Sequence, residues 1–384
     1  MNTETALPLA GVVVVAIEQA VAGPFCSMRL ADAGATVIKI ERPEGDFARG
    51  YDDVVKGESS YFVWLNRGKK SVVLDLTQSH ARAELAALIA KADVVVQNLK
   101  PGALDKMGLG PKALREKHPR LITCSISGYG DEGPLSSRKA YDLLVQAESG
   151  LCSITGGPES PARVGVSLVD ISTGATAYSA VLEALIARGR TGVGADIRLS
   201  MFDVIAEWLA VPLLQQEGGK PPHRIGLGHV SIAPYSVFRS KDGHEILISI
   251  QSDREWRLFA QTLLGDAALG TDPKFSTNVA RVRHRAETDG LVSSAFGKLT
   301  HDELVAALTK ADIAFAEVND MAALSRHPHL RRIEVDTQAG PARIPAPGAV
   351  ITGQNRTYGP VPSLGQDTRV SLDALIQDKE SANA

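Results

Sequence analysis

The stretch from Gly165 to Gly192 contains a carboxylate whose position could do chemistry. An apolar, strand-like run, Val164 to Val169, ends on Asp170, and Ser172, Thr173, Gly174 and Ala175 follow at once. Two roles fit these residues. An aspartate ahead of a helix can accept a hydrogen bond from an orphan backbone N–H, a cap worth about 1 kcal/mol. The same helix N-terminus favours an ionised carboxylate, and small neighbours leave room above it for a bulky substrate. An ionised carboxylate in an open cleft can act as a nucleophile.

Several cations lie where an anionic ligand could meet them. Arg42 directly follows Glu41 at a strand end, and a guanidinium offers fixed donors to phosphate or stacks on a purine. Arg67, Lys69 and Lys70 form a basic turn before the next strand, and Lys100 and Lys106 flank a Pro-Gly turn after another. Ligands of open α/β sheets sit at such strand ends. A solvated surface explains the same residues, and for the turn of Arg67, Lys69 and Lys70 it is the simpler reading.

Other chemistries lack their residues. The first loop reads Ala20-Val21-Ala22-Gly23-Pro24 instead of G-x-G-x-x-G, which argues against a nicotinamide cofactor. His223 and His229, or His327 and His329, have no accompanying ligand pattern for a metal. No G-x-S-x-G elbow or Walker loop is present.

The elements that must position Asp170 follow from hydrophobic periodicity. "GVVVVAI" reads as a buried strand, the residues from Gly23-Pro24 to about Asp32 as a helix, and "TVIKIE" as a second strand, making a βαβ unit. "SVVLDL", "SHARAELAALIAKA", "DVVVQNL" and "LITCSIS" continue the alternation and predict a mostly parallel, wound sheet. At 384 residues the chain exceeds what one core usually supports, so two domains are expected. The breaker-rich "QQEGGKPPHRIGLGH" marks the change. "PYSVFRSKDGHEILISIQS" then reads as two strands about a turn, with helices at "REWRLFAQTLL" and "HDELVAALTKA". The expected architecture is α/β, with a large Rossmann-like domain begun by residues 1–215, a smaller α+β domain over 230–325, and 326–384 returning to complete the first.

Bulk properties sit near the averages for soluble globular proteins. A charged content of 22% and a net charge of -3 give no reason to expect nucleic acid. Cys26, Cys124 and Cys152 are too few and scattered for a disulfide framework, so a reducing cytoplasm is expected. "VVVVAI" is far below the roughly 18–20 apolar residues that span a bilayer, so no membrane association is expected.

In this order, "AGPFCSMRLADAGATVIKIERPEGD", "NRGKKSVVLDL", "NLKPGALDKMGLG", "SISGYGDEGP" and "VSLVDISTGATA" resemble the class III CoA-transferase family (CaiB/BaiF type) over nearly the whole chain. The resemblance implies an interlocked homodimer, with coenzyme A as carrier and substrate and neither metal nor nicotinamide. It makes Asp170 the nucleophile that attacks an acyl-CoA thioester, giving a mixed anhydride and CoA thiolate, before an acceptor carboxylate replaces the donor. CoA contacts then map onto Val21, Ala22, Arg42, Leu74, Thr77, Asn98, Leu99, Ala103, Lys106 and Met107, with Lys139 and Met201 also near the ligand. Val21 stands where formyl-CoA:oxalate enzymes carry glutamine, and Lys106 where an arginine often binds phosphate, so formyl/oxalate specificity is not implied. "GLGHVSIAPY" replaces the family's glycine-rich lid.

The chain is also similar to members acting on small dicarboxylic acyl-CoAs, of succinyl, mesaconyl or itaconyl type, including intramolecular C1–C4 transferases. A second carboxylate on the acyl group needs a partner, and Arg49, Arg67, Arg224, His229 and Tyr141 are the candidates. Two rival roles stay open. An α-methylacyl-CoA racemase-like isomerase would want a His-Asp dipeptide where this chain has Tyr141-Asp142. A non-catalytic CoA-binding protein would need Asp170 only as a cap.

Overall fold

The apolar runs become the strands of a six-stranded parallel sheet in the computed structural model, which describes residues 7–354 and 356–376. Its strands are β1 (Val13–Ile17), β2 (Thr36–Glu41), β3 (Lys69–Val73), β4 (Val94–Gln97), β5 (Ile122–Ser127) and β6 (Asp196–Ser200). They lie in the order 3-2-1-4-5-6, that of a doubly wound dinucleotide-binding fold. β1 and β2 are buried along their whole length, as parallel strands covered on both faces must be. Val13, Val15, Ile38, Ile40, Val72 and Val95 meet Leu85 and Ile89 of α2 (Ser79–Lys91) in the main core.

The chain divides into two units. One holds the residues through Gly150, then Val164–Val211 and the segment from Arg331 onward; the other holds Leu151–Arg163 and Pro212–Leu330. The first stretch of the large unit is thus interrupted, which the expected boundary at 215 did not include. The second unit is built on an antiparallel sheet of β7 (Tyr235–Arg239), β8 (Glu245–Ser249) and β9 (Ala314–Glu317). Trp256 and Phe259 of α5 (Asp253–Thr262), Phe296 of α6 (Arg285–Phe296) and Leu304 of α7 (His301–Lys310) fill its own core.

The return segment forms a hairpin, β10 (Arg332–Val335) and β11 (Ala342–Pro345), whose Val335 and Ile344 pack on Phe62 and Val63. It then covers the open edge of β3. Ser71 N–H donates to Asp367 Oδ2 at 2.8 Å and Val73 N–H to Thr368 Oγ1 at 2.9 Å. An edge strand whose donors are met this way no longer offers a template for another chain.

Two helices carry the site. α1 (Ala22–Asp32) follows β1, and α4 (Leu168–Thr191) crosses it at Gly174. A Cβ on Gly174 would lie 2.5 Å from the Ala22 carbonyl oxygen and 2.8 Å from Phe25 Cβ, so only glycine permits this approach. Gly174→Ala is therefore expected to cost about 3 kcal/mol through overpacking. Thermal unfolding checks it: an unchanged Tm would mean that the helices separate freely.

Candidate active site

Asp170 is neither at a strand end nor a helix cap. The run from Val164 is irregular until α4 begins at Leu168, with Ser167 in the N-cap position, so Asp170 is the third helical residue. The carboxylate that serves the helix start comes from elsewhere. Asp142, the first residue of α3 (Asp142–Glu148), accepts hydrogen bonds through Oδ1 from Val169 N–H at 2.8 Å and Asp170 N–H at 3.1 Å. Nor do the small residues after Asp170 make room for substrate. Ser172 and Thr173 are fully buried and bond the Val169 carbonyl, while Gly174 admits α1.

Since i and i+4 share a helix face, Gly174 places Asp170 beside the start of α1. Among the described residues no donor hydrogen-bonds its carboxylate. Burial, and secondarily the Asp142 carboxylate, push its pKa up to about 7. This opposes the helix N-terminus, which favours the anion by under about 1 kcal/mol. Tyr51 stands close enough to feel the charges of Asp46 and Asp170, and with burial as the larger cause its phenol is pushed up to about 12. Phe47, Tyr51 and Tyr61 form a row, with ring centroids 5.7 and 5.4 Å apart. A carboxylate held this far above its ordinary range beside aromatic edges is partly ionised near neutrality and, as the anion, can attack an acyl carbon.

A cleft of about 700 Å³ opens at the C-terminal ends of β1, β2 and β3, where a doubly wound sheet binds its ligands. Arg42, Leu74, Thr77, Leu99 and Met107 line it together, joined by Gln19, Leu76 and Arg82, which the sequence reading did not single out. Arg42 is exposed over Phe47, its Nε bonded to the Gly45 carbonyl at 2.9 Å. Asn98 braces the wall from behind, accepting Gln19 N–H at 2.9 Å and donating to the Gln19 carbonyl at 2.8 Å. Val21 and Ala22 are buried at the start of α1.

The remaining expected contacts lie outside this cleft. Ala103 lines a second hollow of about 480 Å³ with Lys100, Lys112 and Arg198. Lys106 and Lys139 are exposed and border neither hollow, while Met201 is buried at the start of its helix.

The cations proposed for a second substrate carboxylate are engaged elsewhere. Arg49 donates from Nε and Nη2 to both oxygens of Glu41, at 2.9 and 2.8 Å, and lies 3.7 Å from the Phe62 ring centre. Burial opposes the charge on Glu41, yet Arg49, Lys39 and Ser71 outweigh it and hold its pKa at about 2. Arg67, instead of forming a solvated basic turn, is buried against Asp32 and the Trp64 carbonyl. Lys69 is buried too, 2.7 Å from Glu18 Oε1, and burial pushes it down to about 8. In the second unit, Arg224 spends its donors on the carbonyls of Ser153, Gly157 and Pro158, and His229 stacks on Tyr235. Tyr141 is exposed, as His229 is, and belongs to the surroundings of Tyr51. No three His, Cys, Asp or Glu side chains converge as metal ligands among the described residues.

The sequence profile of CoA-transferase family III matches residues 9–368. The chain belongs to this family. It is 37% identical over 97% of its length to an acyl-CoA transferase of Fusarium pseudograminearum, of which the match covers 86%. A succinate–glutarate CoA-transferase of Agrobacterium fabrum is 35% identical, with 94% of this chain and 93% of the relative covered. The crystal structure of a CAIB/BAIF family protein from Brucella suis superposes with a TM-score of 0.79 at 34% identity, over 95% of this chain and 98% of that one. The family III protein described here is therefore a CoA-transferase, and its substrate is a CoA thioester.

Proposed function

We propose that this CoA-transferase works through Asp170 as covalent nucleophile, with coenzyme A seated in the cleft lined by Arg42, Leu74, Thr77, Leu99 and Met107. The observation that carries the reading is the Asp170 carboxylate itself: without a hydrogen-bond donor among the described residues, destabilised as an anion, and near Tyr51, which also senses Asp46 of the cleft wall. An Asp170 oxygen attacks the thioester carbon, the C–S bond breaks, and CoA leaves as thiolate. The acceptor carboxylate attacks the aspartyl carbonyl of the resulting anhydride and expels the donor acid. The thiolate then attacks the acceptor's acyl carbon, and Asp170 departs with its charge restored.

The acyl group we infer is a small dicarboxylic one, as in the relative named for succinate and glutarate. Since Arg49, Arg67 and Arg224 are held by protein partners, its second carboxylate has to be met by other groups. The racemase-like alternative gains nothing from Asp142, whose carboxylate is occupied by the start of α4. The resemblance adds a homodimer and a cytoplasmic setting to this reading.

Incubation with succinyl-CoA or mesaconyl-CoA, followed by hydroxylamine trapping and peptide mass mapping, tests the mechanism. The expected product is a modification at Asp170 that Asp170→Ala lacks. Exchange of free acid into the CoA ester without modification at this residue would sink the proposal.

A further inference from the structure

We propose that Asp46 is a positioning residue for the cleft, holding the loop after β1 in a conformation it would not keep unaided. The inference rests on the cleft being the CoA site. Ala20, in that loop, has φ of 62°, a left-handed conformation that residues with a Cβ seldom adopt. Asp46 supplies the reason it persists. Its Oδ1 accepts from Ala20 N–H at 3.1 Å and from Ala48 N–H at 2.9 Å, and its Oδ2 from Lys39 Nζ at 2.8 Å.

These bonds tie together two loops that supply different parts of the cleft wall. Glu18 and Gln19 come from the loop after β1, and Arg42 to Asp46 from the loop after β2. Asp46 is itself fixed. Its N–H donates to Glu41 Oε2 at 3.0 Å, and the buried Lys39 also lies 3.6 Å from Glu18 Oε1. With Asn98 bonding both backbone groups of Gln19, the loop's polar groups are directed residue by residue. A buried ion pair is weak evidence of stabilisation, because well-packed apolar side chains often serve the fold as well. What an apolar pair could not do is accept the Ala20 N–H. Asp46 thus sets where the cleft wall stands and where α1 begins, and α1 in turn meets α4 one turn beyond Asp170.

The test uses calorimetric titration of the full chain with free CoA, together with steady-state kinetics on an acyl-CoA. Asp46→Ala is expected to weaken CoA binding about tenfold or more and to raise KM in proportion, with kcat at saturation within about threefold of wild type. Glycine adopts the left-handed conformation without steric cost. Adding Ala20→Gly should therefore recover at least about threefold of the lost affinity, a rescue that a merely structural role for Asp46 would not produce. If Asp46→Ala fails to fold, Ala20→Val strains the same turn with the ionic cluster intact, and the same loss is expected. A folded Asp46→Ala or Ala20→Val protein that binds CoA like wild type overturns the proposal, as does a double variant no better than Asp46→Ala. Leu76→Trp, which fills the cleft away from this loop, separates the two readings. If it leaves CoA binding unchanged, the cleft assignment has failed and the proposal with it; if it weakens binding while Asp46→Ala does not, only the role of Asp46 is overturned.

Discussion

Asp170→Asn is expected to lose transferase activity by about 10⁴-fold or more, the scale on which removing a covalent nucleophile acts, while making the protein more stable at pH 8. The amide keeps the shape of the carboxyl and cannot form the anhydride. Its effect on stability follows from the raised pKa. The folded state holds the Asp170 proton up to about pH 7, whereas the unfolded chain releases it near 3.8. Between these values the folded state binds more protons, so wild-type stability falls as pH rises. Asparagine has no charge to bury and escapes that loss. The full shift corresponds to roughly 4 kcal/mol at 1.36 kcal/mol per unit. Residual contact with solvent and the favourable helix terminus reduce it, and about 2 kcal/mol is expected. The gain should shrink as pH falls below 7 and vanish near 4. Thermal melts of both proteins across that range check the sign, and an Asp170→Asn protein less stable than wild type at pH 8 would refute the stated origin of the pKa. A residue that costs stability and carries the chemistry is what a trade between stability and activity looks like at one position.

The sheet was legible because buried parallel strands write themselves as continuous apolar runs, and "GVVVVAI", "TVIKIE" and "DVVVQNL" did so. The local setting of Asp170 was not, since "VGVSLV" has strand-like composition while its backbone at Val169 is drawn into a helix by Asp142, 27 residues earlier. The cations misled for a related reason. Arg67 and Lys69 look like surface charge one at a time, and their partners Asp32 and Glu18 lie 35 and 51 residues away, joined only by the winding of the sheet. Short-range spacing carries no trace of such pairs. The segment Leu151–Arg163 gave no signal either, because thirteen residues without a strong periodic pattern cannot announce which core they join.

The second large effect is expected in pH dependence, where Asp142 acts on Asp170 by charge and by hydrogen bonds that two substitutions can separate. In wild type, kcat/KM for an acyl-CoA should rise with pH up to about 7 and then level, because only ionised Asp170 attacks. Asp142→Asn removes the like charge, while its side-chain oxygen can still accept from Val169 and Asp170 N–H; its amide nitrogen replaces only the acceptor of Gln146 Nε2. Burial is the larger cause of the raised pKa and persists, so the acid limb should move down by about one unit, not to the ordinary carboxylate value. At pH 5.5 the variant would then retain close to tenfold more of its plateau rate than wild type does. Asp142→Ala removes the acceptor as well and leaves the buried Val169 N–H without a partner, which costs about 1–3 kcal/mol. A shifted limb with a smaller loss of Tm for asparagine, which gives up only the Gln146 bond, than for alanine would assign the two actions to their separate causes. An acid limb that stays near 7 in Asp142→Asn would mean that burial alone sets the nucleophile's pKa and that Asp142 serves only to start α4.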